Sequence, residues 1–147
     1  MTFQITIDCA KPDLLAPFWA AALGYRAADP PEGHASWREF YLSVGVPAEE
    51  LGDGDCVDRL VDPTGAGPAI WSQIVPEPKT LKNRLHFDLM VGGGRSVPVE
   101  LRRQRVDAEV TRLTELGATV LRRSDDELNG HYAVTLADPE RNEFCVA

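Results

Sequence analysis

Alternating apolar and polar residues occur at two places in the chain, and each stretch is followed by a helical pattern. Residues 3–9 and 84–91 alternate with a period of two, which is typical of strands with one buried face. Apolar residues then recur at helical spacing over 12–23 and 98–116. Both helical segments end on a Leu-Gly pair, and glycine favours the left-handed backbone that closes a helix. The pattern therefore predicts two strand–helix units of similar design.

The segments after each helix predict the remaining strands. These are expected near 25–28, 57–61, 69–75, 118–122, 131–137 and 142–147. Each half also has an Asp-Pro turn, at Asp62 and at Asp138. We therefore predict an α+β fold of two βαβββ modules, about 1–76 and 83–147, within a single domain that spans all 147 residues.

An insertion lengthens the first half. Short helical segments are predicted within it at 36–42 and 46–51. The segment 75–84, where the halves meet, contains two prolines and no periodicity, so it is expected to link two modules of one domain.

Composition and charge exclude several classes of function. The net charge of -8, from 23 acidic and 15 basic residues, argues against a general nucleic-acid binder. No apolar run reaches the roughly 18 residues that a membrane-spanning helix needs. The N-terminal sequence lacks the pattern of a signal peptide, and the three cysteines include no C-x-x-C pair. We therefore expect a cytoplasmic protein without a membrane or nucleic-acid partner.

Four stretches carry a resemblance to a known superfamily. They are Phe18–Tyr25, Trp71–Asp88, Arg105–Ala118 and Ala137–Cys145. In these stretches the chain resembles the vicinal oxygen chelate superfamily, which includes glyoxalase I, extradiol dioxygenases and the bleomycin- and fosfomycin-resistance proteins, and within it the glyoxalase-like branch. The resemblance implies two paired modules whose strands form a half-open barrel with the helices outside. It also implies a homodimer, although no feature of the sequence establishes one.

The resemblance further implies a place for a metal in the catalytic members. A divalent ion is held in the cleft by one ligand from the first strand and one from the last strand of each module, and it chelates two neighbouring oxygens of the substrate. On the first strands of this chain, the matching positions are Gln4 and His86. By strand alternation, Gln4 shares the polar face with Thr6, and His86 shares it with Asp88, so both are expected to point into one shared cleft.

The last strands depart from the family pattern. The resemblance implies a glutamate seven residues after the Asp of the Asp-Pro turn, but Cys145 occupies that position in the second module and Glu143 lies two residues earlier. In the first module the position falls on Trp71 or Gln73, and neither is a carboxylate. Because hard divalent cations prefer several carboxylates, these residues argue against tight binding of such an ion.

Two ligand sets therefore remain open. The first is Gln4, His86 and Glu143, in which the amide oxygen is a weak ligand and the imidazole a good one. The second is Cys145 with His86, a pair that attracts zinc but lacks a third ligand. The competing interpretation is that these polar side chains line a pocket for an organic ligand.

Other side chains are candidates for contact with a ligand. His131 opens a predicted strand, where it either reaches the rim of the cleft or lies in a turn. Asp88 either orients His86 or pairs with an arginine. Trp71 and Trp37 either form a flat wall for a ring-bearing ligand or belong to the core. On the amphipathic helix, Trp19 is predicted to be core.

Charged residues of the linker give one further alternative. Glu77, Lys79 and Lys82 either contact an anionic ligand or are solvated surface residues.

Three hypotheses of function follow. The preferred one is a glyoxalase-like protein that binds a small organic ligand without an obligatory metal, either as a sequestering or resistance-type protein or as an enzyme that uses polar side chains. The ligand-binding residues would be Gln4, Trp71, Gln73, His86, Asp88 and Cys145, and the catalytic candidates are His86, Glu143 and His131. The second is a metal-dependent lyase, isomerase or dioxygenase, with Zn, Ni, Fe or Mn held by Gln4, His86 and Glu143. The third is a structural or regulatory protein whose cleft has lost its function.

Overall fold

The computed structural model describes residues 2–51, 53–126 and 130–147, and these residues form two compact units. The first unit extends to Pro78 and the second begins at Lys79. Each contains one four-stranded sheet.

The first unit contains the inserted helix in addition to the repeated elements. Its elements are β1 (Gln4–Cys9), α1 (Pro12–Leu23), β2 (Arg26–Ala27), α2 (Trp37–Ser43), a 3-10 helix (Ala48–Glu50), β3 (Arg59–Val61) and β4 (Ala69–Ile74). The second unit is simpler. Its elements are β5 (Asp88–Leu89), α3 (Val99–Glu115), β6 (Thr119–Asp126), β7 (His131–Ala137) and β8 (Glu143–Val146).

The two sheets have the same topology. The strand order is β1-β4-β3-β2 in the first unit and β5-β8-β7-β6 in the second. In both, the first strand runs parallel to the last, and the other pairs are antiparallel. The α+β class and the two βαβββ modules are therefore confirmed, and the shared strand order supports duplication of one module.

One helix of the first unit packs against its sheet through an apolar stripe. Helix α1 begins with Pro12 in its first turn, where the missing N–H costs nothing, and it ends at Gly24 with a φ of 69°. The buried residues of α1 and of the strands beside it include Leu15, Phe18, Trp19, Leu60 and Ile70. The prediction that Trp19 is core is confirmed, because only 2% of it is exposed.

The core of the second unit lies between α3 and one face of its sheet. The buried side chains there are Val106, Val110, Leu113, Val134, Leu136, Phe144 and Val146. Because strand side chains alternate, the residues between them on β7 and β8 point to the other face. We call this second surface, opposite α3, the polar face of the second sheet.

Each Asp-Pro turn is closed by its own aspartate. The Asp62 carboxylate accepts hydrogen bonds from the N–H groups of Thr64 (2.8 Å) and Gly67 (2.6 Å). Asp138, which is only 3% exposed, accepts bonds from the N–H groups of Glu140 and Asn142, both at 2.9 Å. The turns are therefore equivalent in the two modules and bring the chain back into the last strand of each sheet.

Two strands differ from the sequence prediction. The strand predicted over 84–91 is reduced to Asp88–Leu89, and Leu85 is 88% exposed, so the expectation that Leu85 belongs to a buried face is wrong. Pairing with β8 extends back only to Phe87, whose carbonyl accepts the Cys145 N–H. Before that residue the chain is held differently, because the Asn83 N–H donates to the Glu143 side chain on β8. Strand β6 is longer than predicted and has a register shift between Val120 and Arg122.

Among the helices in the described part of the chain, none combines the length and the apolarity that crossing a bilayer requires.

Candidate functional site

Four side chains form a row across the polar face of the second sheet. Cys145 on β8 is the register partner of Asp88 on β5 and of Thr135 on β7, and Thr135 is the partner of Arg122 on β6. Directly paired residues project from the same face of a sheet, so these side chains are neighbours. The Thr135 hydroxyl lies 3.6 Å from the Cys145 thiol, within the range of a weak hydrogen bond in which either group donates.

His86 joins this row at the β5 end. Its Nε2 lies 3.3 Å from Oδ1 of Asp88. One potential ligand atom from each of His86, Asp88 and Cys145 lies within 4.8 Å of the other two. The interpretation in which Asp88 orients His86 is therefore supported by their separation, and the structure brings three candidate residues into one cluster.

An open pocket of about 300 Å³ lies on this face, entirely within the second unit. It is lined by Lys82, His86, Leu121, Arg122, Thr135, Glu143 and Cys145, and we call it the second-unit pocket. Cys145 and Thr135 are half-buried, whereas Lys82 and Arg122 are exposed. The pocket thus has a thiol, a hydroxyl and an imidazole with two flexible cations.

Glu143 is held by contacts outside the cluster of His86, Asp88 and Cys145. Its Oε2 accepts the Asn83 N–H at 2.9 Å and the Lys79 ammonium at 3.2 Å. The Asn83 hydrogen bond is the main reason that the pKa of Glu143 lies below its ordinary value, and the Lys79 charge adds to the effect. Lys79 also donates to the carbonyl of Leu81. As placed, Glu143 anchors the segment 79–83 to β8, and among the described residues it does not belong to the cluster that could hold a metal.

The candidates in the first unit lie on one face of its sheet. Register pairs Thr6 with Trp71 and Asp8 with Gln73, and alternation places Gln4 on the same face as Thr6. The residues between them on β4, Ile70 and Ser72, are buried on the opposite face. Strand alternation therefore groups Gln4, Trp71 and Gln73 as expected. That Gln4 and His86 share one cleft stays a prediction.

Trp71 and Trp37 are occupied by contacts within the first unit. The Arg59 guanidinium lies 4.9 Å from the ring centre of Trp71 and 5.3 Å from that of Trp37. The indole N–H of Trp71 donates to Asp58 at 2.8 Å, and that of Trp37 donates to the carbonyl of Ala28 at 2.8 Å. Trp37 is only 8% exposed, which favours its core role over the alternative of a ligand wall.

The remaining catalytic candidate, His131, is exposed at the first position of β7 and does not line the second-unit pocket. Thr135 and Arg122 line the pocket but are not among the residues predicted from the sequence. Thr135 alternates with the apolar residues Val134 and Leu136, which is a signal for the polar face. Arg122 reaches the row only through the register shift after Val120, for which the sequence has no simple signal.

Comparison with known proteins identifies the family to which this chain belongs. The family model described as a glyoxalase-like domain matches residues 4–147. No protein of curated function matches the sequence significantly.

Several solved structures share the fold at low sequence identity. A glyoxalase/bleomycin resistance protein/dioxygenase family enzyme from Burkholderia phytofirmans has a TM-score of 0.54 at 18% identity, with 97% of this chain and 94% of that chain covered. A mutant of the fosfomycin resistance protein FosX from Listeria monocytogenes, complexed with Mn(II) and 1S,2S-dihydroxypropylphosphonic acid, has a TM-score of 0.56 at 11% identity, covering 97% and 85%. A lactoylglutathione lyase from Agrobacterium tumefaciens has a TM-score of 0.52 at 13% identity, covering 99% and 91%. With the family match over nearly its whole length, the chain belongs to the glyoxalase-like domain family of the vicinal oxygen chelate superfamily.

Proposed function

We propose that this protein binds a small organic molecule in the second-unit pocket, without an obligatory metal. The observation that carries the proposal is the convergence of His86, Thr135 and Cys145 on a cavity of about 300 Å³. This volume is at the lower end of the range that is usual for small-molecule sites. A few polar groups beside an apolar side chain, here Leu121, are the usual means of fixing the orientation of a ligand.

The polar groups of the pocket suit a ligand that bears oxygens. A hydroxyl both donates and accepts hydrogen bonds, and a neutral imidazole has one donor and one acceptor nitrogen. The Asp88 carboxylate lies 3.3 Å from Nε2 of His86, close enough to favour one orientation of the imidazole. A ligand hydroxyl or carbonyl would therefore find both donors and acceptors in the pocket.

A ligand screen by thermal shift tests this proposal. A compound that binds the native protein raises the melting temperature by mass action. We expect the shift to be lost in Thr135→Val and His86→Gln and to persist in His131→Gln, since His131 is exposed and outside the pocket. A shift of the same size in all three variants would place the ligand elsewhere and end the proposal.

A second candidate function is a metal-dependent lyase, isomerase or dioxygenase. It is favoured by the cluster of His86, Asp88 and Cys145, whose potential ligand atoms lie within 4.8 Å of one another. A nitrogen, an oxygen and a sulfur ligand with an open fourth position suit zinc, whereas Mn²⁺ prefers oxygen ligands. His86, Asp88 and Cys145 would hold the ion, which would act as a Lewis acid toward an oxygen of the substrate.

Elemental analysis separates the two candidates. The protein is purified without chelators or an affinity tag, and its metal content is measured beside that of His86→Ala, Asp88→Asn and His131→Ala. About one zinc per chain that is lost in the first two variants and kept in His131→Ala would support the metal-dependent function. Stoichiometric metal that survives in His86→Ala would contradict this ligand set.

A further inference from the structure

The charges around the second-unit pocket are unbalanced. Lys82 and Arg122 line it, and neither has an ion-pair partner among the described residues. Its one lining carboxylate, Glu143, already accepts hydrogen bonds from Lys79 and from the Asn83 N–H. The pocket is therefore lined by two cations without a described ion-pair partner, in a chain whose net charge is -8. A second carboxylate on this face, Asp88, lies beside His86, 3.3 Å from its Nε2.

Within the described ranges, five other arginines are paired with an acid, and they include Arg123, the neighbour of Arg122. The pairs are Arg26–Asp29, Arg59–Asp58, Arg103–Asp125, Arg112–Glu109 and Arg123–Asp107. Arg122 and Arg123 are consecutive on β6, so they project to opposite faces of the sheet. Arg123 binds Asp107 on α3 at 2.6 Å, whereas Arg122 projects from the polar face opposite Thr135.

We infer that the ligand of the second-unit pocket is a small organic acid, whose carboxylate, phosphate or phosphonate group is bound by Lys82 and Arg122. The inference rests on the proposed function and names the chemical class of its ligand. A guanidinium matches the geometry of such oxyanions with two parallel hydrogen bonds, and an ammonium adds a mobile point charge. Thr135 and Cys145, beside Arg122 in the same row, then contact the atoms next to the acidic group.

Size and charge restrict the ligand further. A pocket of about 300 Å³ matches a small acid in size. Nucleic acid is disfavoured because the chain as a whole repels polyanions, while two local cations are enough for one anionic group.

A library of matched pairs tests the inference, each pair consisting of a small acid and its uncharged amide. Lactate with lactamide and phosphonoacetate with its triamide are examples, and inorganic phosphate is included alone. Binding is measured by chemical-shift perturbation of pocket amides and by titration calorimetry at low and moderate salt. The acids should bind and the amides should not, and added salt should weaken the binding because exposed charges are screened.

Adjacent arginines provide the matched control variants. Arg122→Gln and Lys82→Gln should each weaken binding of the acids about tenfold or more, as expected for loss of a charge-assisted hydrogen bond. Arg123→Gln removes the same charge from the other face and should leave the affinity unchanged. Equal binding of the acids by wild type and Arg122→Gln, or equal binding of acids and amides by wild type, would overturn the inference.

The same experiment distinguishes failure of the inference from failure of the proposed function. If uncharged amides perturb the pocket residues and lose affinity in Thr135→Val but not in Arg122→Gln, the pocket binds ligands and the acid class is wrong. If neither acids nor amides perturb pocket residues, both the inference and the proposed function are refuted.

Discussion

The hydrogen bonds of Glu143 should stabilise the second unit in a pH-dependent way. Its carboxylate is 19% exposed and accepts the Asn83 N–H at 2.9 Å and the Lys79 ammonium at 3.2 Å. Hydrogen bonds to charged groups contribute about 1.5–3 kcal/mol, and an ion pair of a partly exposed lysine adds under about 1 kcal/mol. Since glutamine keeps one acceptor oxygen, Glu143→Gln should lower the free energy of unfolding by about 1–2 kcal/mol at pH 7.

The sign of the pH dependence follows from the lowered pKa of Glu143. A carboxylate with a folded pKa below its unfolded value of 4.5 stabilises the protein above that value, and the stabilisation is lost as pH falls through the folded pKa. The difference in the free energy of unfolding between wild type and Glu143→Gln should therefore disappear on acidification. Urea unfolding followed by circular dichroism at several pH values measures it, since all three tryptophans lie in the first unit and would not report the second.

A local measurement and a control complete this test. Hydrogen exchange of the Asn83 amide should accelerate in Glu143→Gln, because the variant weakens its acceptor. Glu115→Gln, at the exposed end of α3, removes the same charge but none of the contacts that Glu143 makes. It should change neither the free energy of unfolding nor the exchange rate of the Asn83 amide. An unchanged urea midpoint at pH 7, or a gap that persists unchanged at acid pH, would refute the reasoning.

Two further predictions concern the whole chain. Burial is the main reason that the pKa values of Tyr25, Tyr41 and Tyr132 are raised above 10, and nearby aspartates add to each. Ultraviolet titration should therefore show tyrosinate forming at higher pH in the native protein than in urea, and the free energy of unfolding should fall above pH 10. Titration curves that coincide for the native and the urea-unfolded protein would contradict this. Leu136→Ala removes a fully buried side chain and should cost about 2–5 kcal/mol in urea unfolding, whereas Leu121→Ala, at a residue 53% exposed, should cost far less.

Local patterns in the sequence were enough to predict the repeated modules. Period-two alternation locates β1, and the Leu-Gly endings locate the ends of α1 and α3, because these signals depend on neighbours along the chain. Strand 84–91 was overpredicted, because its alternation continues into a segment that is held by a side chain of β8. Local pattern has no information about that distant contact.

The candidate site was predictable only in part. His86, Asp88 and Cys145 follow from strand faces and from the family pattern, and the structure brings them together. The contacts of Glu143 and the position of Arg122 depend on pairing between residues far apart in sequence, and on a bulge that shifts the register by one residue. The role of Asp58 in holding Trp71 was missed for the same reason.

The inserted helix α2 distinguishes the first sheet from the second. Through Trp37 and Tyr41 it contacts Asp58 and Arg59, so part of the first sheet is covered by a helix. Substitutions of Asp58 or Arg59 must therefore preserve their contacts with α2. Among the described residues of the second unit the one helix is α3, which packs on the opposite face, so no helix of that unit covers its polar face.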